Sequence, residues 1–171
     1  DYHLVHLGAR AMGGAGLVMA EMTCITPEGR ITPGCPGIYS DEQIAAWKRI
    51  ANWIHTHSDA KFAMQIGNAG GKASTRLAWD GTDLPLEPAS ANWPIVSASA
   101  QQYLPGISQV ARELSQAEME VMKQQFVQAA RDVDAIGADW LELHCAHGYL
   151  LSAYISPLTN HRTDEYGGSL A

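Results

Sequence analysis

Three side chains late in the sequence have the types and spacing to hold an oxygen and move a proton. They lie in the run Leu141-Glu-Leu-His-Cys-Ala-His-Gly-Tyr-Leu-Leu151, where His144 and His147 are three residues apart and Tyr149 follows two later. Imidazoles donate hydrogen bonds to a ligand oxygen or bind a metal, and a phenol can deliver a proton. The apolar start of the run reads as a short buried strand, so the trio falls where that strand ends. The residue types leave three uses open: hydrogen-bonded polar residues at a strand end, the centre of a metal-dependent barrel hydrolase, or an oxygen-binding, proton-donating site. A metal centre asks for a further His or Asp at a strand end, and the pattern offers none.

The rest of the chain supplies the elements that must position these residues. Tyr2 to Met12 reads as the end of a helix. Gly16-Leu-Val-Met-Ala-Glu-Met-Thr-Cys-Ile25 is an apolar run rich in strand formers and bounded by glycines and Pro27, which predicts a buried strand. Ser40 and Gln43 have capping-box spacing at the head of a helix from Asp41 to His57. Ile44, Trp47, Ile50, Ala51 and Ile54 form its apolar stripe. Lys61 to Gly67 is the next strand. A long excursion, Asn68 to Leu114, follows; such length implies function or small elements of its own. Its Trp79, Trp93 and Tyr103 predict that it packs against the body.

A second capping box, Ser115 and Glu118, opens the clearest helix. Met119, Met122, Phe126, Ala130, Val133 and Ile136 line one face, and Gly137 holds the stop position. The histidine strand, Asp139 to Ala146, comes last. Glu21 at a strand end predicts a structural ion pair with Arg10 or Arg30. His55, His57 and His161 read as exposed.

Composition narrows the class. The chain has 171 residues, 46% hydrophobic and 17% charged, with a formal net charge of -7. That is a globular composition, and its charge disfavours a nucleic-acid or anionic-membrane partner. No apolar run approaches the roughly 18 residues of a membrane span, and no secretory signal is visible. Cys24, Cys35 and Cys145 are an odd, widely spaced set, which fits a reducing, cytoplasmic setting better than a disulfide framework.

Strands alternating with helices predict an α/β fold with a parallel sheet. Neither GxGxxG after the first strand nor GxxxxGK[ST] is present, so the Rossmann and P-loop readings lose support. Polar residues gather where strands end: Glu21 and Thr23, then Gln65, then His144 and His147. A (β/α)₈ barrel has its active site at that end, and a full barrel takes about 250 residues. The expectation is a partial TIM barrel of about three parallel strands. The chain begins with Asp and its last motif stops at Ser169-Leu-Ala171, so residues 1–171 read as one domain cut at both ends.

At this point a family resemblance becomes specific. The segments His6-Leu-Gly-Ala-Arg-Ala11, Gly13-Gly-Ala-Gly-Leu-Val18, Pro27-Glu-Gly-Arg-Ile31, Gln65-Ile-Gly-Asn-Ala-Gly-Gly-Lys72 and His144-Cys-Ala-His-Gly-Tyr149 resemble the old yellow enzyme family of FMN-dependent ene-reductases, in its thermophilic-type branch. The last continues into Ser156-Pro-Leu-Thr-Asn-His-Arg-Thr-Asp-Glu-Tyr-Gly-Gly-Ser169. The resemblance implies FMN and NAD(P)H as cofactors and an activated C=C bond as acceptor. It makes His144 and His147 the hydrogen-bond donors to the acceptor oxygen, Tyr149 the proton donor, and Gln65 and Met22 the flavin contacts.

Ala78-Trp-Asp80, Ala91-Asn-Trp-Pro94 and Ser97-Ala-Ser99 are similar to the reductase-like half of bifunctional salicylyl-CoA or 2-aminobenzoyl-CoA monooxygenases, which would make the acceptor an aryl-CoA thioester. Self-association of a full-length protein is a further expectation. Asn68 and Gly71 stand where the family pattern has His and Arg, which predicts a changed flavin face. The implied phosphate-binding loops and later strands fall outside the sequence, so this segment alone is expected not to retain FMN. The non-catalytic alternative is a barrel piece with a purely structural or interaction role.

Overall fold

A computed structural model describes residues 1–168; Ser169, Leu170 and Ala171, where the last motif stops, lie outside the described residues. In chain order the body contains α1 (Tyr2–Met12), β1 (Leu17–Cys24), α2 (Asp41–His57) and β2 (Lys61–Gly67). The excursion after β2 carries a four-residue helix α3 (Ala78–Gly81) and three short strands, β3 (Val96–Ser97), β4 (Gln101–Gln102) and β5 (Val110–Glu113). Then come α4 (Gln116–Ala135), β6 (Trp140–Leu143) and α5 (Leu150–Ile155).

β1, β2 and β6 form a parallel sheet with β2 in the centre. Its register sets Met19 beside Ala63 and Ala63 beside Trp140, with Gln65 beside Glu142. Strand side chains alternate between faces. One face presents Val18, Ala20, Phe62, Met64 and Ile66 to the buried stripes of α1, α2 and α4. Leu7 and Ala11, then Trp47, Ile50, Ala51 and Ile54, then Ala129, Val133 and Ile136 meet them there. The other face is open: Leu17 is 49% and Trp140 62% exposed. This is the layering of a barrel segment, with helices outside and the inner face exposed along its two edge strands.

Local chemistry explains the element ends. Ser115 and Glu118 form the full reciprocal capping box at α4, and Gly137 (φ +84°) supplies the left-handed residue that ends it. Within α4, Ala129 is the fully buried alanine and Ala130 only half-buried, so the stripe is rotated slightly from the expected one. At α2 the box is half made. Ser40 Oγ accepts from the Gln43 N–H at 3.3 Å, but the Gln43 side chain turns instead to the N–H of Tyr39. Below the sheet, Asp139 ties three elements together. Its carboxylate accepts from the Phe62 N–H at 2.9 Å and pairs with His55 and Lys61.

The excursion folds as a small cap, with β5 between β3 and β4. Its packing departs from expectation at one aromatic: Trp93 packs in a second apolar cluster with Met22 and Cys24, whereas Trp79 is 80% exposed. The cap is locked from below by Arg162, whose side chain is only 4% exposed. Its guanidinium donates to the carbonyls of Ala98 and Leu114 and forms a two-point bond to Asp164. Gly167 is required here, because a Cβ would lie 2.0 Å from the Arg162 carbonyl oxygen.

Candidate functional site

The histidine strand ends earlier than its sequence suggests. β6 stops at Leu143, and His144 takes one more ladder bond, from its N–H to the Ile66 carbonyl. The chain then turns: His147 (φ +60°) and Gly148 (φ +72°) are both left-handed. A non-glycine residue there carries strain of the kind that clusters at functional sites. The turn lifts the imidazoles off the strand and delivers Tyr149 to the head of α5.

His144, His147 and Tyr149 come together. The His144 ring lies 4.9 Å from that of His147 and 4.7 Å from that of Tyr149, between centroids. His144 is buried, and its Nδ1 accepts from the Ala146 N–H at 3.2 Å. A neutral imidazole that accepts at Nδ1 carries its proton on Nε2. That proton points to Nδ1 of His147, 3.1 Å away. His147 Nδ1 is then the acceptor and its Nε2–H the donor turned to a ligand. Burial, and next the neighbouring His147, push the His144 pKa below its ordinary value, which favours the neutral form of that ring. Burial raises the Tyr149 pKa, so the phenol holds its proton.

Met22 borders this cluster, and Gln65 lies on the neighbouring strand β2. Gln65 is half-buried on the open face, and its amide donates to Glu142 at 2.5 Å across the register. Met22 is buried in the second cluster, which also takes in Tyr149. Gly67 permits the convergence: a Cβ there would sit 3.1 Å from Met22 Cγ and 3.2 Å from His144 Cβ. Beside His147 a cleft of about 380 Å³ is lined by Gly71, Lys72, Gln101, Tyr103 and Thr159, among others. The Lys72 ammonium sits 4.1 Å over the Tyr103 ring, a cation–π contact.

Other expectations change. Asn68 does not face the cluster: it is buried, its amide approaches Met122 on α4, and its Oδ1 accepts from the Gly70 N–H. The residue in the family's histidine position therefore shapes a turn. Glu21 pairs with His3 at 2.6 Å and not with an arginine. Arg10 donates to the His6 carbonyl, and Arg30 to that of Pro27 while stacking on Trp93. His55 carries the Asp139 bond described above. Two cysteines, Cys24 and Cys35, meet in space although their sequence spacing carries no motif. Among the described residues no group of three or more His, Cys, Asp or Glu is placed to hold a metal, and no helix is long and apolar enough to cross a membrane.

The fold and the cluster define a class: an α/β barrel segment with a histidine–histidine–tyrosine centre at the C-terminal end of its strands. Comparison with known proteins narrows it. The family described as NADH:flavin oxidoreductase / NADH oxidase matches residues 1–171, and the chain belongs to that family. It is 40% identical over 171 residues to an NADH:flavin oxidoreductase of Gibberella zeae, covering 99% of this chain and 41% of that protein. It is 37% identical over 168 residues to an NADPH dehydrogenase of Bacillus subtilis, covering 98% and 44%. Among solved structures, old yellow enzyme from Pichia superposes with a TM-score of 0.81 at 30% identity, covering 99% of this chain and 43% of that one. Morphinone reductase in complex with tetrahydroNAD gives 0.82 at 27% identity, covering 99% and 47%. The chain thus spans less than half the length of these relatives, and its sheet corresponds to part of their barrel.

Proposed function

We propose that residues 1–171 form the substrate-facing part of an FMN-dependent (β/α)₈ oxidoreductase that reduces an activated C=C bond with NAD(P)H. The observation that carries this is the convergence of His144, His147 and Tyr149 at the end of β6, next to Gln65 on the open inner face. The donor set suits a flat ring with a polar edge: a side-chain amide at Gln65, a nearby carboxylate at Glu142, and an apolar row on the same face. Gln65 would hold the flavin's pyrimidine edge and the backbone at Met22 would pass beside it. FMN, when bound and reduced by NAD(P)H, supplies a hydride.

The chain's own residues account for the rest. His147 Nε2–H, with His144 behind it, donates to the acceptor oxygen and stabilises negative charge as it develops there. His144 can add its own Nε2–H when a ligand oxygen replaces His147 Nδ1 as its partner. Tyr149, protonated and half-buried beside both rings, gives its proton to the carbon α to the activating group. The second protonatable wall of the cleft, Lys72 with Tyr103, lies on the His147 side.

The finer likeness to the reductase-like half of aryl-CoA monooxygenases rests on the loop residues Ala78–Asp80, Ala91–Pro94 and Ser97–Ser99 alone; the relatives named above carry no monooxygenase in their names. The same reading places the protein in the cytoplasm, as part of a longer self-associating barrel.

A phenolate, whose oxygen stands in for a developing enolate, tests the oxygen site without flavin. Titrated into the isotope-labelled chain, it should shift the imidazole resonances of His144 and His147. His147→Ala should weaken binding by about tenfold, the worth of one hydrogen bond to a charged group. Unshifted imidazoles, or equal binding by the variant, would overturn the assignment. The chain itself, desalted after incubation with FMN, should hold less than stoichiometric flavin, because its open face lacks the remaining strands.

A further inference from the structure

The second apolar cluster contains a pair of thiols that the proposed reaction does not use. Cys24 ends β1 and is fully buried; Cys35 lies on the loop that follows and is partly exposed. The loop folds back against the strand end. The Cys24 N–H donates to the Pro36 carbonyl at 2.9 Å, the Ile38 N–H donates to the Cys24 carbonyl at 3.0 Å, and Cys24 bridges Gly37. The residue after Cys35 is therefore pinned to Cys24 by its backbone, and the two side chains pack in the same apolar cluster.

Around Cys35 the donors converge on sulfur. The Thr32 N–H lies 3.4 Å from it and the Thr32 hydroxyl 3.7 Å. The neighbouring Cys24 thiol, and then the Thr32 and Ile31 donors, lower the Cys35 pKa to about 6 despite burial. Cys24 is pushed the other way, first by the neighbouring Cys35 and then by burial. Cys35 is thus the partly exposed sulfur, faced by the Thr32 donors that favour its thiolate, and Cys24 the shielded one, the division of labour that thiolate oxidation requires.

We propose that Cys35 and Cys24 form a peroxide-reactive dithiol site, Cys35 as the attacking sulfur and Cys24 as the resolving one. The Cys35 thiolate attacks a hydroperoxide oxygen, the O–O bond breaks, and the departing alkoxide or hydroxide takes up a proton. Cys35 becomes a sulfenic acid. Cys24 sulfur then attacks it, the S–O bond breaks, water leaves with the Cys24 proton, and a Cys24–Cys35 disulfide forms. The two thiols lose two electrons and the peroxide gains them. This site does not rest on the flavin reading, but it borders that cluster. Cys24 Sγ is 4.0 Å from Met22 Sδ, and Met22 and Tyr149 share the same packing. Oxidation also removes the Cys35 negative charge that, after burial, holds the Tyr149 pKa up.

The test is mass spectrometry on the chain after treatment with hydrogen peroxide. The expected product is lighter by about 2 Da, with a cross-linked Cys24–Cys35 peptide and Cys145 still alkylatable. Cys24→Ser or Cys24→Ala should stop the reaction at a Cys35 sulfenic acid that dimedone traps. Cys35→Ser should abolish both products, and Cys145→Ser should change neither. The wild-type peptide map stands even if a Cys24 variant folds poorly. Oxidation falling first on Cys145, or a peroxide-treated wild-type chain that keeps both Cys24 and Cys35 alkylatable, would overturn the proposal.

Discussion

On the helix-covered face of the parallel sheet, Phe62, Met64 and Ile66 of the central strand are fully buried, while on the other face Leu17 of β1 and Trp140 of β6 stand about half or more exposed, with Ala63 of β2 covered between them. The helix-covered face is apolar throughout, and the other face mixes Leu17, Met19, Ala63 and Trp140 with Glu21, Lys61, Gln65 and Glu142, so residue type separates the two only in part. What also separates them is whether the described residues carry a partner layer. The outer face is matched by stripes on α1, α2 and α4 that the same 171 residues encode. The inner face has no such stripe among the described residues. On the reading proposed above, further strands of a barrel would close it. The candidate site sits on that inner side at the strand ends, so the chemistry proposed for it would belong to the less completed of the two faces.

Substitutions can break or sharpen this contrast. The largest effect is expected at Phe62, which stacks toward Trp47 in the closed layer. Phe62→Ala should cost about 3–5 kcal/mol, as lost burial plus an unfilled cavity, and should be visible as a lower urea midpoint. A cost under about 1 kcal/mol would mean that the outer layer is not rigidly packed.

A middle-sized effect is expected where Asp139 ties β6 to β2 and α2. The Phe62 N–H, then His55 and Lys61, hold its pKa at about 2 against an ordinary 3.8. Because the folded-state value is depressed, the stabilisation is complete above about pH 4 and is lost as the pH falls toward 2. Asp139→Asn should therefore cost about 1–2 kcal/mol at neutral pH. The gap between variant and parent in denaturant titrations should narrow from pH 4 to pH 2. A gap independent of pH would show that the carboxylate's charge is not what ties the elements.

The smallest effect is expected on the open face. Trp140→Ser should change stability by no more than about 0.5 kcal/mol, the range for exposed positions. A loss above about 2 kcal/mol would show that something covers this face in solution, and sedimentation at several concentrations would tell whether a second copy does so.

Much of this was legible in the residues. The 3.6-residue stripe of α2, the Ser115–Glu118 box and the terminal Gly137 placed two helices with their ends, and the bounded apolar runs placed three strands. Local signals of this kind depend on neighbours a few residues away, which is why they survive in one dimension. The site was legible in the same way: His144, His147 and Tyr149 lie within one turn, so their meeting needs little beyond that turn's geometry. Gln65 was read at the end of its strand, and the register sets it beside Glu142 on β6.

Other features were decided only in three dimensions. Asn68, in a position where a titratable group was expected at the flavin face, turns to α4, because its side chain is needed to close the turn at Gly70. Glu21 found His3 and Asp139 found His55, pairings set by how α1 and α2 lie across the strands. Cys24 and Cys35 became neighbours because backbone bonds from Cys24 to Pro36 and Ile38 fold the loop onto the end of β1. The sequence by itself determined the helices, the strands and the identity of the histidine–histidine–tyrosine turn, since short-range periodicity and capping write those locally. The tertiary structure alone decided which face stayed open and which distant polar groups paired, since both depend on strand register and on how far the chain folds back on itself.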